Sequence, residues 1–90
     1  MKRRNKQQKS DKFMLSFPLA MAGEGETVRV ISILQGCRLR KRLMSIGIQV
    51  KDIFVVAQRL SNGAVLISKD NHRFALGGGM ALKIFVMKEE

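Results

Sequence analysis

Apolar and polar positions follow one another in short runs, and the period of those runs points to strands over most of the chain. Thr27 to Leu34 reads Thr-Val-Arg-Val-Ile-Ser-Ile-Leu, β-branched and apolar, and predicts a strand partly covered on both sides. Asp52 to Leu60 and Ala64 to Ser68 predict two more strands. Ser61-Asn62-Gly63 separates them, and Asn-Gly there supplies the two left-handed residues of a type I′ hairpin. Lys69-Asp70-Asn71 turns the chain into a fourth strand, His72 to Leu76. Gly77-Gly78-Gly79 then makes a corner ahead of a last strand, Ala81 to Met87. Nearer the start, Phe13 to Phe17 forms a short strand or lies across the end of the fold. Pro18 to Ala22 predicts one helical turn, with Ser16 near the N-cap and Pro18 just inside, broken by Gly23-Glu24-Gly25-Glu26.

The period becomes helical between Gly36 and Ile48. Leu39, Leu43 and Ile46 fall at i, i+4 and i+7, so one face of a two-turn helix is apolar. Gly36 and Gly47 bracket the segment, with Gly47 where a left-handed residue ends a helix. About five short strands, one inserted helix and tight turns predict a mainly β fold, a small barrel that removes the exposed edges of its apolar strands. In that barrel the helix caps an open end, with Leu39, Leu43 and Ile46 as plug and Gly47 as stop. Residues 1–12 are polar, lack apolar periodicity and predict a disordered tail, leaving 13–90 as one domain.

Charge changes this picture. The chain has 90 residues and a net charge of +10. Lys2, Arg3, Arg4, Lys6, Lys9 and Lys12 face Asp11 alone in the tail, so half of the excess lies there. In the helix, Arg38, Arg40, Lys41 and Arg42 put four cations within five residues. Such a balance predicts an acidic partner: nucleic acid, anionic lipid or an acidic protein surface. A solubilising tail and a solvated helix face are the plainer reading. No run of 18 apolar residues exists to make a membrane helix. The basic start, Phe13 to Leu19 and Ala20-Met21-Ala22 imitate a secretory signal, but the apolar run is short and Pro18 interrupts it. A cytoplasmic location is expected.

Candidate chemistry is sparse. Cys37 is the only cysteine and His72 the only histidine, and no acidic pair stands at a telling spacing. Cys37 sits ahead of the helix beside Arg38, a setting that favours a reactive thiol. With no base or second cysteine near, a small half-buried side chain is expected. His72 is expected at the surface or hydrogen-bonded in the core, and Cys37, Asp70 and His72 together make at most a weak metal site. The triple glycine lacks the Gly-Lys-Ser/Thr ending of a phosphate loop and precedes a predicted strand, so it reads as a turn. No catalytic residue, metal or cofactor is therefore assigned, and the protein is expected not to be an enzyme. Single-strand nucleic-acid binders need exposed aromatic platforms. The chain has no Trp or Tyr, and Phe54, Phe74 and Phe85 lie within predicted core strands.

Four blocks resemble the ferrous iron transport protein A (FeoA) family. They are Pro18-Leu19 followed by Gly25-Glu26, then Val28 to Ile33, then Lys41-Arg42-Leu43-Met44-Ser45-Ile46-Gly47-Ile48 against an Arg-Leu-x-x-Leu/Ile-Gly signature, and Leu76-Gly77 with Ala81, Ile84 and Val86. Together they cover about residues 17–87. The resemblance implies an SH3-like β-barrel. It also implies a small cytosolic adaptor of ferrous iron uptake that acts on the membrane transporter FeoB, which carries a cytosolic GTPase domain. Arg38, Arg40, Lys41 and Arg42 are then the candidate partner-binding residues, with Arg42 between plug and contact surface. The tail adds attraction to the anionic inner face of the membrane. The same fold occurs as the C-terminal domain of iron-dependent repressors, but this chain lacks their helix-turn-helix. A metal-responsive domain of that kind and a nucleic-acid-binding small barrel are the alternatives. The chain departs from the family at Val50-Lys51, where Pro-Gly is frequent, so Lys51 needs a different turn or a positive φ. Glu24 stands in place of a frequent Pro, and the triple glycine in place of a more polar turn.

Overall fold

The structure is a computed structural model and describes residues 15–34 and 37–89, with the side chain of Cys37 outside that description. The tail read from residues 1–12, Phe13 and the expected burial of Cys37 therefore lie outside the described residues. Six strands form one antiparallel sheet: β1 (Phe17–Pro18), β2 (Thr27–Ile33), β3 (Ile53–Arg59), β4 (Val65–Lys69), β5 (His72–Leu76) and β6 (Ile84–Lys88). Helix α1 (Cys37–Ser45) lies between β2 and β3, and a short α2 (Gly78–Ala81) precedes β6. The hydrogen-bonded order is β1-β6-β2-β3-β4-β5, which puts the last strand between the first two.

Alternation decides which residues enter the core. Val28, Val30, Phe54, Val56, Val65, Ile67, Ile84 and Val86 are all buried and belong to one cluster with Leu19, Leu43, Ile48 and Leu76. Register shifts interrupt β2 between Val30 and Ser32 and β3 between Val56 and Gln58. In β2 the extra residue lets Ile33 rather than Ser32 face the core, and both bulges bend the sheet around it.

Several local expectations are corrected. The Asn62-Gly63 turn is not type I′, because Gly63 is left-handed (φ 89°) and Asn62 is not. Ser61, Asn62 and Gly63 instead form a three-residue loop in which Gly63 N–H donates to the Leu60 carbonyl at 3.1 Å. The two consecutive left-handed residues sit at Asp70 (φ 52°) and Asn71 (φ 67°), a two-residue loop between the paired Lys69 and His72. The triple glycine does not run into a strand. Gly78 opens α2, and β6 begins only at Ile84. Near the start, Pro18 is the N-cap of a 3-10 turn (Leu19–Met21) rather than its first residue. Its place in β1 costs no ladder bond inside the sheet, because β1 is an edge strand. The barrel is partly open, with β1 and β5 as edges that are not paired to each other. β1 is only two residues long, and β5 carries exposed His72 and Arg73, both common ways of blunting an edge.

Candidate docking surface

Helix α1 is held from one side. Leu43 is fully buried, and Leu39 and Ile46 are partly buried and packed against the core cluster. Its end is a Schellman turn: Ile48 N–H donates to the Leu43 carbonyl at 2.8 Å and Gly47 N–H to that of Met44 at 3.0 Å, with Gly47 at φ 90°. The hydrophobic contact that accompanies this motif is available between Leu43 and Ile48, both fully buried.

The loop after the helix is tied down at several points. Lys51 N–H donates to the Val30 carbonyl and Val30 N–H to that of Asp52, each at 2.8 Å. These bonds flank Lys51, whose φ of 83° is the positive value that the missing Gly leaves it to adopt. The Asp52 carboxylate accepts from Gln49 N–H at 2.8 Å and from Lys69 Nζ at 3.0 Å, and Lys69 Nζ also donates to the Gly47 carbonyl.

Arg38, Arg40, Lys41 and Arg42 are all exposed. No hydrogen bond or ion pair joins their side chains to a carboxylate among the described residues. The first turn of the helix contains no acid, so Arg38 stands where the helix dipole disfavours a cation, whereas Arg42 in the last turn is favourably placed. Three carboxylates elsewhere in the fold have partners of their own. Glu24 accepts from Arg59 N–H at 2.7 Å, Glu26 from Gly23 N–H at 2.8 Å, and Glu89 takes both ends of Arg29 at 2.9 Å. Those two bonds, and next the carboxylate charge, raise the Arg29 guanidinium pKa above its ordinary value, with desolvation acting the other way. The fold thus pairs Arg29, Lys69 and Lys88 with carboxylates and, among the described residues, leaves the cations of α1 without acidic partners.

Beside the helix lies a cleft of about 260 Å³ lined by Ile33, Arg40, Met44, Ile48, Gln49 and Val50. The pattern of Leu39, Leu43 and Ile46 does not reveal it. The available signal is Met44, an apolar side chain on the polar side of the helix, one turn after Arg40 and 60% exposed. His72 is exposed, with its ring centroid 6.4 Å from that of Phe74, and Asp70 occupies the hairpin turn. Among the described residues no three His, Cys, Asp or Glu side chains stand close enough to hold a metal ion. Of the three predicted core phenylalanines, Phe54 is buried while Phe74 and Phe85 are half-buried. No described helix is long and apolar enough to cross a membrane.

Fold and surface together define the class, a small SH3-like β-domain with a cationic helix inserted after its first long strand. The FeoA domain model matches residues 17–88, and the chain belongs to that family, which is associated with ferrous iron transport. A relative from Methanocaldococcus jannaschii, provisionally named Fe(2+) transport protein A, is 43% identical over 74 residues, covering 82% of this chain and 89% of the relative. The crystal structure of an iron uptake regulatory protein (FeoA) is similar with a TM-score of 0.74 and 31% identity, covering 82% of this chain and 97% of that one. A manganese-dependent transcriptional repressor is similar with a TM-score of 0.75 and 24% identity, over 82% of this chain and 42% of the repressor. That likeness is one of fold alone.

Proposed function

We propose that this protein is a non-enzymatic accessory of ferrous iron uptake that docks on a cytosolic part of a FeoB-type membrane transporter and modulates it. Family membership supports the setting, and the cationic face of α1 carries the docking assignment. Arg38, Arg40, Lys41 and Arg42 are exposed on a helix whose opposite face is anchored in the core, and they stand without acidic partners among the described residues. Like charges crowded on one short helix are unfavourable in isolation. An acidic partner surface relieves that repulsion, speeds encounter and fixes orientation. Leu39, Leu43, Ile46 and Gly47 serve the helix as anchor and stop. Transport and nucleotide hydrolysis belong to the partner, and the protein acts in the cytoplasm at the inner face of the membrane. There the six cations of residues 1–12 add attraction to anionic lipid, at about 1 kcal/mol for each one near the surface.

Reversing Arg38, Arg40 and Arg42 to Glu tests this reading. The expected result is capture of the transporter weakened about tenfold or more, with an unchanged circular dichroism spectrum because all three side chains are exposed. Undiminished capture by the folded triple variant would sink α1 as the docking face.

A further inference from the structure

The surface beside α1 is both charged and apolar. Ile33, Met44, Ile48 and Val50 supply most of the cleft wall, and Arg40 and Gln49 complete it. Met44 and Val50 are 60% and 41% exposed, while on the other face of the helix Leu43 is fully buried and Leu39 and Ile46 are packed against the core. The loop wall is rigidly placed, since Gln49 and Asp52 are bonded to each other and Lys51 is bonded to Val30.

We infer that this cleft takes a single apolar side chain from an acidic segment of the transporter, seated between Met44 and Val50 with a neighbouring carboxylate on Arg40. The inference rests on the adaptor reading above and adds the chemistry of the bound segment. Charge complementarity selects the occupant. A basic segment meets Arg38, Arg40, Lys41 and Arg42 with repulsion. A neutral apolar segment covers Arg40 and partly desolvates it with no counter-charge, which opposes binding. An acidic segment without an apolar anchor leaves the exposed Met44 and Val50 in water. An apolar anchor flanked by carboxylates satisfies both parts of the wall, the arrangement in which buried anchors carry affinity and rim charges give orientation.

The test uses the full chain, isotope-labelled, titrated with a short synthetic peptide that has one central leucine flanked by glutamates. Amide shifts are expected at Ile33, Met44, Ile48 and Val50. Replacing the peptide's leucine by alanine should weaken binding about tenfold or more, and replacing its glutamates by glutamines should weaken binding and flatten its salt dependence. Met44→Glu should abolish the leucine-dependent part, and Met44→Ala should reduce it. Equal affinity for the leucine and alanine peptides overturns the inference, as do shifts confined to Arg38, Lys41 and Arg42. Vesicles rich in anionic lipid that move the cleft amides while the peptide leaves them still overturn it in favour of a lipid surface. Transporter capture separates the two levels of the argument. If Arg38, Arg40 and Arg42 to Glu releases the transporter and Met44→Glu does not, the cleft inference fails and the adaptor reading stands. If wild-type protein captures no transporter, the adaptor reading fails, and the peptide titration decides the cleft alone.

Discussion

Gly78 and Gly79 are neighbours with opposite reasons for their small size. A Cβ on Gly78 would stand 3.3 Å from the backbone carbon and oxygen of Gly63, whereas one on Gly79 meets nothing within 4 Å. Gly79→Ala is therefore expected to stabilise the protein by about 0.5–1 kcal/mol, chiefly by restricting the unfolded chain. Gly78→Ala is expected to destabilise it, because backbone rather than a flexible side chain would have to move. Thermal melts decide between them, at about 4–8 °C per kcal/mol for a domain of this size. Lys51 shows a different accommodation. A left-handed conformation costs a non-glycine residue on the order of 1 kcal/mol, and the backbone bonds at Val30 hold it there. The exposed cations of α1 belong with it, since Arg38 opposes the helix dipole without an acid in the first turn. At both places a local preference yields to what surrounds it. The need for an unusual φ at Lys51 was legible from the absent glycine, but the bonds that sustain it join residues about twenty positions apart.

Helix α1 is secured at its C-terminal end, where the Schellman turn passes into a loop braced by Lys69 against Gly47 and Asp52. The side chains of Lys69 and Asp52 are only 19% and 22% exposed, so this ion pair is less screened than a surface one. Lys69→Met should cost about 1–2 kcal/mol in urea unfolding, since it leaves a carboxylate and a carbonyl short of a donor. Lys69→Arg should recover part of that loss by keeping the charge. An unchanged unfolding midpoint in Lys69→Met would show the brace to be ornamental. The stop at Gly47 was readable from a glycine after an apolar period, while the brace was not, because Lys69 ends β4 and Asp52 precedes β3, with no local pattern linking them. The hairpins teach the same lesson. Asn62-Gly63 carried the stronger local signal, yet strand register left three residues at that loop and only two at Asp70-Asn71. The shorter loop is the one that demands two left-handed residues.

On the scale of the whole molecule, a net charge of +10 acts at a distance, and its effect on association is expected in the rate of encounter. Raising salt from about 0.1 M to 1 M shortens the screening length from about 10 Å to 3 Å. Association with the proposed transporter partner, measured by surface plasmon resonance, should slow markedly over that range, while dissociation changes less. The reverse pattern would count against electrostatic steering and leave short-range contacts as the source of the salt effect. What the amino-acid sequence determined by itself was everything that repeats over a few residues: the runs of the main strands, the apolar face and glycine stop of α1, the surplus of cations and the family blocks. Those features depend on periods of two or 3.6 residues and on composition, and neither needs distant partners. Only the tertiary structure decided the strand order with β6 between β1 and β2, the bulges, the Lys69–Asp52 brace, the contact of Gly78 with Gly63, and the cleft beside α1. Each of these joins residues from separate parts of the chain, and their positions follow from closing one core around Val30, Leu43, Val56 and Ile84. Local patterning supplied the surfaces to be buried, and packing chose which exposed surfaces would meet.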